Sequence, residues 1–237
     1  AIGTPELTLP EVVSRAEVVG THSVDGHDVA IVSAIGDQQA SLAGAGLATD
    51  ELSVNIATGC QVSRRIPGPD TRAPQLRPYL QDDYLATVTH IPAGRALNAF
   101  ARLLANRDAD DDISADWARL EGLAAAGARG VRANVAVFPA ARAYPGQLSG
   151  LTEDNITPGA AFRAVTDDIA DRTTDAAEAI GARNLSRTAV SGGLAFRSDL
   201  MRRLITDRLG LPSRVVRKDA DALAGLAVVA MTIEGHV

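Results

Sequence analysis

The chain has 237 residues, 46% of them hydrophobic and 22% charged, and carries a formal net charge of −6. That apolar content supports one large globular domain or two unequal ones, while the acidic balance argues against nucleic acid or an anionic membrane as the main partner. No apolar run approaches the ~20 residues of a membrane-spanning helix, and the N-terminus lacks the basic and apolar regions of a signal peptide.

In chain order, residues 1–28 read as an extended connector with Pro5, Pro10 and a turn at Asp25-Gly26. The apolar run Val29–Ile35 reads as a buried strand ending in Gly36 and an acid, Asp37. The C-terminal end of a strand is where open α/β sheets bind their ligands. Ala40 to Gly46 is a stretch of very small residues, expected to form a short helix packed close to a neighbour or to clear space beside Asp37. A hairpin follows over 52–65, with one apolar run at Leu52–Ala57, a corner at Thr58-Gly59 and a second run from Cys60. Backbone N–H groups at such a corner can converge on an anion. One acid and one phosphate-sized nest, close in sequence, suggest phosphoryl transfer to a hydroxyl. Pro67, Pro69, Pro74 and Pro78 then confine the chain to loop or edge strand.

Leu85–His90 reads as a strand, and Pro92-Ala93-Gly94 opens a helix to about Asn106 with Leu97, Phe100, Leu103 and Leu104 on its apolar face. The acidic run Asp108, Asp110, Asp111, Asp112 is most simply a solvated loop. Ser114 is placed to cap a helix carrying Trp117, Leu120 and Leu123 and ending near Gly127. Val131–Phe138 reads as a buried strand. Thr157-Pro158 starts a long helix, with Phe162, Val165, Ile169, Thr173, Ala176 and Ile180 on one face and Gly181 as its stop. The tail reads as a strand at Arg187–Ser191, Gly192-Gly193, and a helix to Leu209. A short strand near Val215-Val216 and a small-residue helix from Asp219 to Thr232 complete it. Strands and helices alternate, so the class is α/β.

Cys60 is the single cysteine, so no internal disulfide can form, and a reducing cytoplasm is the expected compartment. It is read as a packing residue. His22, His27, His90 and His236 lie far apart, and no metal ligand is assigned. Because the chain starts at Ala1 rather than methionine, it is expected to be part of a longer one.

The ordered segments GDQQASLAGAG (36–46), SVNIATGC (53–60), IPAGRALN (91–98), LSGLTEDNITPGAAFRAVTDDIADRTTDA (148–176) and VSGGLAFRSDLMRRLITDRLGLP with DADALAGLAVVA (190–212, 219–230) resemble the FGGY family of carbohydrate kinases. The family lies within the actin-like ATPase superfamily, and the wording is closest to its sedoheptulokinase-like and xylulokinase-like branches. The resemblance implies an actin-like ATPase (ribonuclease H-like) domain, a mixed sheet flanked by helices. Residues 1–46 match the end of the N-terminal sugar-binding domain with its catalytic loop, and 47–237 the C-terminal nucleotide-binding domain. The family's opening segment, with its Asp-x-Gly turn and most sugar contacts, has no counterpart here. A missing N-terminal kinase domain is therefore an expected partner, beside the sugar and, as an open option, a second copy of the chain.

The resemblance also implies roles. Asp37 matches the catalytic base, against a local reading as a helix cap; Gln38 matches a sugar-hydroxyl contact, against an exposed amide. Thr58 and Gly59 match the second phosphate-binding turn, against an ordinary hairpin turn. Gly94 and Asn98 match nucleotide contacts at a helix start, where free N–H groups attract phosphate, against a glycine that merely permits the turn. Gly192 and Gly193 match the double glycine beneath adenine, against a plain strand-to-helix turn. Arg197 stands where many members carry asparagine and could stack on the purine. The implied activity is ATP- and Mg²⁺-dependent phosphorylation of a ketose or polyol hydroxyl. One rival is a truncated or split member that binds nucleotide without catalysis. The other is an actin- or chaperone-like ATPase, against which the GDQQA segment argues, since it supplies a base for a bound hydroxyl.

Overall fold

The computed structural model describes residue 13 and residues 15–126, 129–139, 145–217 and 222–233. Two strands open it, β1 (Val18–Val24) and β2 (His27–Val32), followed by helix α1 (Asp37–Gly44). Then come β3 (Glu51–Ile56), β4 (Gly59–Ile66), β5 (Gln75–Pro78), β6 (Tyr84–Pro92), α2 (Gly94–Ala105) and α3 (Ser114–Ala126). Two three-residue strands, β7 (Arg132–Asn134) and β8 (Gln147–Ser149), precede the long α4 (Pro158–Ala179). The chain closes with β9 (Arg187–Ser191), α5 (Gly193–Arg197), α6 (Asp199–Leu209), β10 (Ser213–Val215) and α7 (Ala222–Ile233).

Six strands form the main sheet in the order β10-β9-β3-β4-β6-β5; β10, β9 and β3 are parallel, and β4, β6 and β5 antiparallel. Period-two alternation in β3 and β4 sorts the two faces. Leu52, Val54, Ile56, Cys60 and Val62 point to one side and are buried in a large core with Leu97, Phe100, Leu120, Phe162, Val165 and Ile169. There the Trp117 ring meets Phe162 edge-on at 5.6 Å. The opposite face is mostly polar. It carries Ser53, Ser63 and Thr87, all buried, beside a small apolar cluster of Leu42, Leu47, Tyr79, Leu85, Ala189 and Val216. Helix α1 covers this second face. A Cβ on Gly225 of α7 would enter the Ala40 carbonyl of α1, so the small side chains of 40–46 serve close helix packing.

Several elements differ from the sequence expectation. Val29 and Ile31, read as part of a buried strand, are 49% and 46% exposed, because β2 pairs with β1 in a separate two-stranded sheet that no layer covers among the described residues. The supposed connector contains β1, and Asp25-Gly26, with φ of 50° and 80°, is its hairpin turn. The strand expected over Val131–Phe138 shrinks to β7, since Ala136 N–H turns back to Asn134 Oδ1 and Val137 N–H to the Val135 carbonyl. Leu103 is 70% exposed; the buried stripe of α2 runs through Ala96, Leu97, Phe100 and Ala101. Asp112, not Ser114, is the acceptor at the start of α3, taking both the Ser114 N–H and hydroxyl. The helix expected from Gly193 to Leu209 breaks at Ser198, whose hydroxyl caps α6 by accepting the Met201 N–H. Pro5, Pro10, Gly127, Asp219 and His236 lie outside the described residues.

Candidate functional site

Helix α1 begins at Asp37, directly after the extended Gly36, and puts that carboxylate in solvent at the helix N-terminus. Asp37 Oδ1 accepts the Gln38 backbone N–H at 2.7 Å. Both residues line a cavity of about 420 Å³ between α1 and the polar sheet face, whose floor includes Ser53, Asn55, Gln61 and Ser191. Arg77 and Phe196 close its sides. Gln38 is half-buried rather than exposed, because its side-chain amide donates to Ser63 Oγ at 3.0 Å.

A second cavity, about 300 Å³, gathers Thr58, Gly94, Asn98, Gly193 and Arg197, together with Arg95 and Arg102. These residues come from the β3–β4 turn, helix α2 and the two ends of the short α5. The cavity therefore exists only because β9 lies beside β3 in the sheet. Asn98, Arg102 and Arg197 also line an adjoining space of about 420 Å³ that reaches Trp117 and Glu121. The Asp37 cavity and the Thr58 cavity meet across one step of chain: Gly192 and Phe196 line the first, Gly193 and Arg197 the second. Gly59 lines neither.

The glycines are required for different reasons. A Cβ on Gly94 would strike the Ala57 carbonyl, because the start of α2 is packed on the 57–58 turn. Gly94 N–H donates to Ala57 O at 3.1 Å and Arg95 N–H to Thr58 O at 2.8 Å. This corrects the expectation of free N–H groups at that helix start: the first two amides are already bonded. Gly192 has φ 94°, and a Cβ there would lie 2.6 Å from the Ile56 carbonyl carbon. A Cβ on Gly193 would meet nothing within 4 Å, so the chain leaves open space there.

The Thr58 cavity is cationic. Among the described residues, three guanidinium groups line it and no carboxylate does. Arg95 lies over the Phe138 ring at 3.9 Å, Arg197 Nε donates to the Gly193 carbonyl at 3.3 Å, and Arg102 Nε is buried with no partner among the described residues. Asn98 Oδ1 accepts the Trp117 indole N–H at 3.0 Å, which fixes its amide plane. These features suit a large anion with an aromatic part. Among the described residues no group of three or more His, Cys, Asp or Glu could hold a metal ion. A divalent ion would come with the anion itself, held chiefly by phosphate oxygens and water. Cys60, buried beside Thr173, has its thiol pushed up to about 12 by desolvation and plays no part in either cavity. A larger cavity, about 730 Å³, lies between α1, α7 and Tyr79 and holds none of the residues singled out above.

Sequence reasoning missed Arg95 and Arg102, although their spacing of three and four residues from Asn98 puts all three on one helix face. It also missed Asn55 and Gln61, which period-two alternation assigns to the polar side of the hairpin.

Residues 63–233 match the model of the FGGY family of carbohydrate kinases, C-terminal domain. No curated protein matches the chain. Among solved structures, the xylulose kinase from Rhodospirillum rubrum superposes with a TM-score of 0.79 at 20% identity, over 93% of this chain and 48% of that one. Glycerol kinase from Plasmodium falciparum, solved with ADP, gives 0.71 at 18% identity over 95% and 48%. Gluconate kinase from Lactobacillus acidophilus gives 0.68 at 18% identity over 84% and 42%. The shared architecture is the actin-like ATPase fold, and the chain spans about half the length of these structures. Among the described residues no helix is long and apolar enough to cross a membrane.

Proposed function

Because this chain belongs to the FGGY family of carbohydrate kinases, we propose that it is the nucleotide-binding part of an enzyme that phosphorylates a sugar hydroxyl with ATP. On this reading residues 1–46 are the end of a sugar-binding domain, and 47–237 are the nucleotide domain. The substrate is a ketose of the xylulose or sedoheptulose type. The observation that supports it is the convergence of Thr58, Gly94, Asn98, Gly193 and Arg197 on one cationic cavity, one chain step from the cavity of Asp37.

Asp37 takes the proton of the sugar hydroxyl as it attacks the γ-phosphorus in line. A positioned carboxylate of this kind is worth roughly 10²–10⁴-fold in rate. Gln38 Oε1, buried and without a partner among the described residues, accepts a hydrogen bond from a second substrate hydroxyl. The Thr58 hydroxyl and the Gly59 turn hold phosphate oxygens. Arg95 and Arg102 offset their charge, and the base lies over Gly193 beside Arg197. When bound with ATP, magnesium would supply charge neutralisation at the transferring group. Closure of the missing half over the cleft excludes water, the competing acceptor.

The half-length match favours one other reading, a split or truncated member that binds nucleotide without catalysis. Coupled ADP release with Mg-ATP against a panel of ketoses and polyols separates the two, run on this chain and on the gene's full reading frame. Sugar-dependent release from the longer form supports the kinase. Nucleotide binding with silence in both forms supports the alternative.

A further inference from the structure

Beneath α1 a line of hydrogen bonds runs from the sheet interior to Asp37. Thr87 Oγ1 lies 3.0 Å from Ser63 Oγ, across the register that pairs these residues on β6 and β4. Ser63 Oγ accepts the Gln38 side-chain N–H at 3.0 Å, and the Gln38 backbone N–H donates to Asp37 Oδ1 at 2.7 Å. Both hydroxyls are almost wholly buried, at 1% and 0% exposure. Two hydroxyls in that position are costly unless bonded, and two apolar side chains would have served packing alone.

The first turn of α1 has little else to hold it. Among the described residues, Gly36 offers no side-chain cap, and the buried residues of the helix start only at Ala40, where α7 packs. The other ties of the turn are the Ala40 N–H to the Gly36 carbonyl at 2.9 Å and Gln39 Nε2 to the Pro78 carbonyl at 3.3 Å. Gln38 is therefore the joint between a rigid sheet and an exposed carboxylate. Its backbone touches the acid and its side chain touches the strand.

We propose that Ser63 and Thr87 are positioning residues for Asp37, acting through Gln38. They set the azimuth of the first turn of α1, so that the carboxylate is aimed over the cavity floor before substrate arrives. The inference rests on the reading of Asp37 as the base. A misplacement of about 1 Å at such a group can cost on the order of 10²-fold in rate.

The test uses the full reading frame with Thr87→Val, which keeps the shape and removes the hydroxyl, Thr87→Ser, which keeps the hydroxyl, and Ser63→Ala. Sugar-dependent turnover and amide hydrogen exchange over Asp37–Ser41 are read on each. Thr87→Val and Ser63→Ala are expected to lower kcat about tenfold or more, leave KM for ATP within about twofold and speed exchange in that turn. Thr87→Ser restores both. Wild-type kcat and exchange in Thr87→Val overturn the proposal, as does an equal loss in Thr87→Ser, which marks packing rather than the hydroxyl. If the wild-type enzyme turns over no sugar, the base reading falls. Exchange then decides separately whether the hydroxyl chain holds the helix start.

Discussion

Gly192 and Ile56 meet where no side chain fits: at φ 94°, a Cβ on residue 192 would lie 2.6 Å from the Ile56 carbonyl carbon. This contact seats the strand-to-helix turn of β9 on the end of β3. It leaves the next residue, Gly193, facing open space. Adjacent glycines thus have separate tasks, one in packing and one in keeping a cavity open.

Substitutions at the pair should separate accordingly. Gly192, at φ 94° and ψ 159°, sits in an essentially glycine-only region. Gly192→Ala therefore incurs about 1–3 kcal/mol of backbone strain before any clash with Ile56, and Tm should fall by roughly 4 °C or more for a chain of this size. Gly193→Leu should leave Tm within about 2 °C and weaken ATP binding about tenfold or more, because the side chain enters the cavity. Thermal melts and nucleotide titration of both variants check this. Equal stability loss in both would remove the distinction.

Asp37 is exposed, so changing it should cost little stability. In the full reading frame, Asp37→Asn should lower sugar-dependent turnover by 10²-fold or more while sparing ATP affinity. Turnover within a few-fold of wild type would show that the proton goes elsewhere.

Glu51 is wholly buried and accepts two bonds from Arg214, both at 2.7 Å, with Arg187 at 3.5 Å. Hydrogen bonding to Glu51 holds the Arg214 guanidinium above its ordinary range. Arg214→Met leaves the carboxylate with the more distant arginine, at a cost of about 3 kcal/mol. The double variant Glu51→Leu with Arg214→Met should recover most of that. Urea unfolding of the single and double variants gives the comparison, and simple additivity would argue against the pair.

Burial pushes the Cys60 thiol from 9.0 to about 12. The native chain should therefore resist thiol alkylation at pH 8 and label at the rate of unfolding. Since the folded thiol keeps its proton longer than the unfolded one, its contribution to stability is whole below pH 9 and declines toward pH 12. Rapid labelling of the native chain would contradict its burial.

Local signals carried well where an element is decided by its own side chains. Thr157-Pro158 and Gly181 bracket α4 as read, because a cap acceptor, a fixed proline φ and a left-handed glycine act within one turn. The 52–65 hairpin and the Arg187–Ser191 strand were legible from apolar alternation for the same reason. Val29–Ile35 was not. Its apolar residues look like a core strand, but burial depends on what lies opposite, and among the described residues β2 has only β1 beside it. The break at Ser198 and the early end of β7 depend on single side-chain acceptors competing with the ladder, which periodicity does not register.

The candidate site divides in the same way. The sequence by itself picked out the candidate residues: a carboxylate at a helix start, a Thr-Gly corner and a pair of glycines before a helix, each recognisable in a short stretch. Only the tertiary structure decided that β9 lies parallel to β3, which brings Gly193 beside Thr58, and that Gln38 is tied to Ser63 on another strand. Gly193 stands 135 positions after Thr58 and Ser63 stands 25 after Gln38, and their meeting depends on sheet order and close backbone contacts, quantities that no local window of side chains contains.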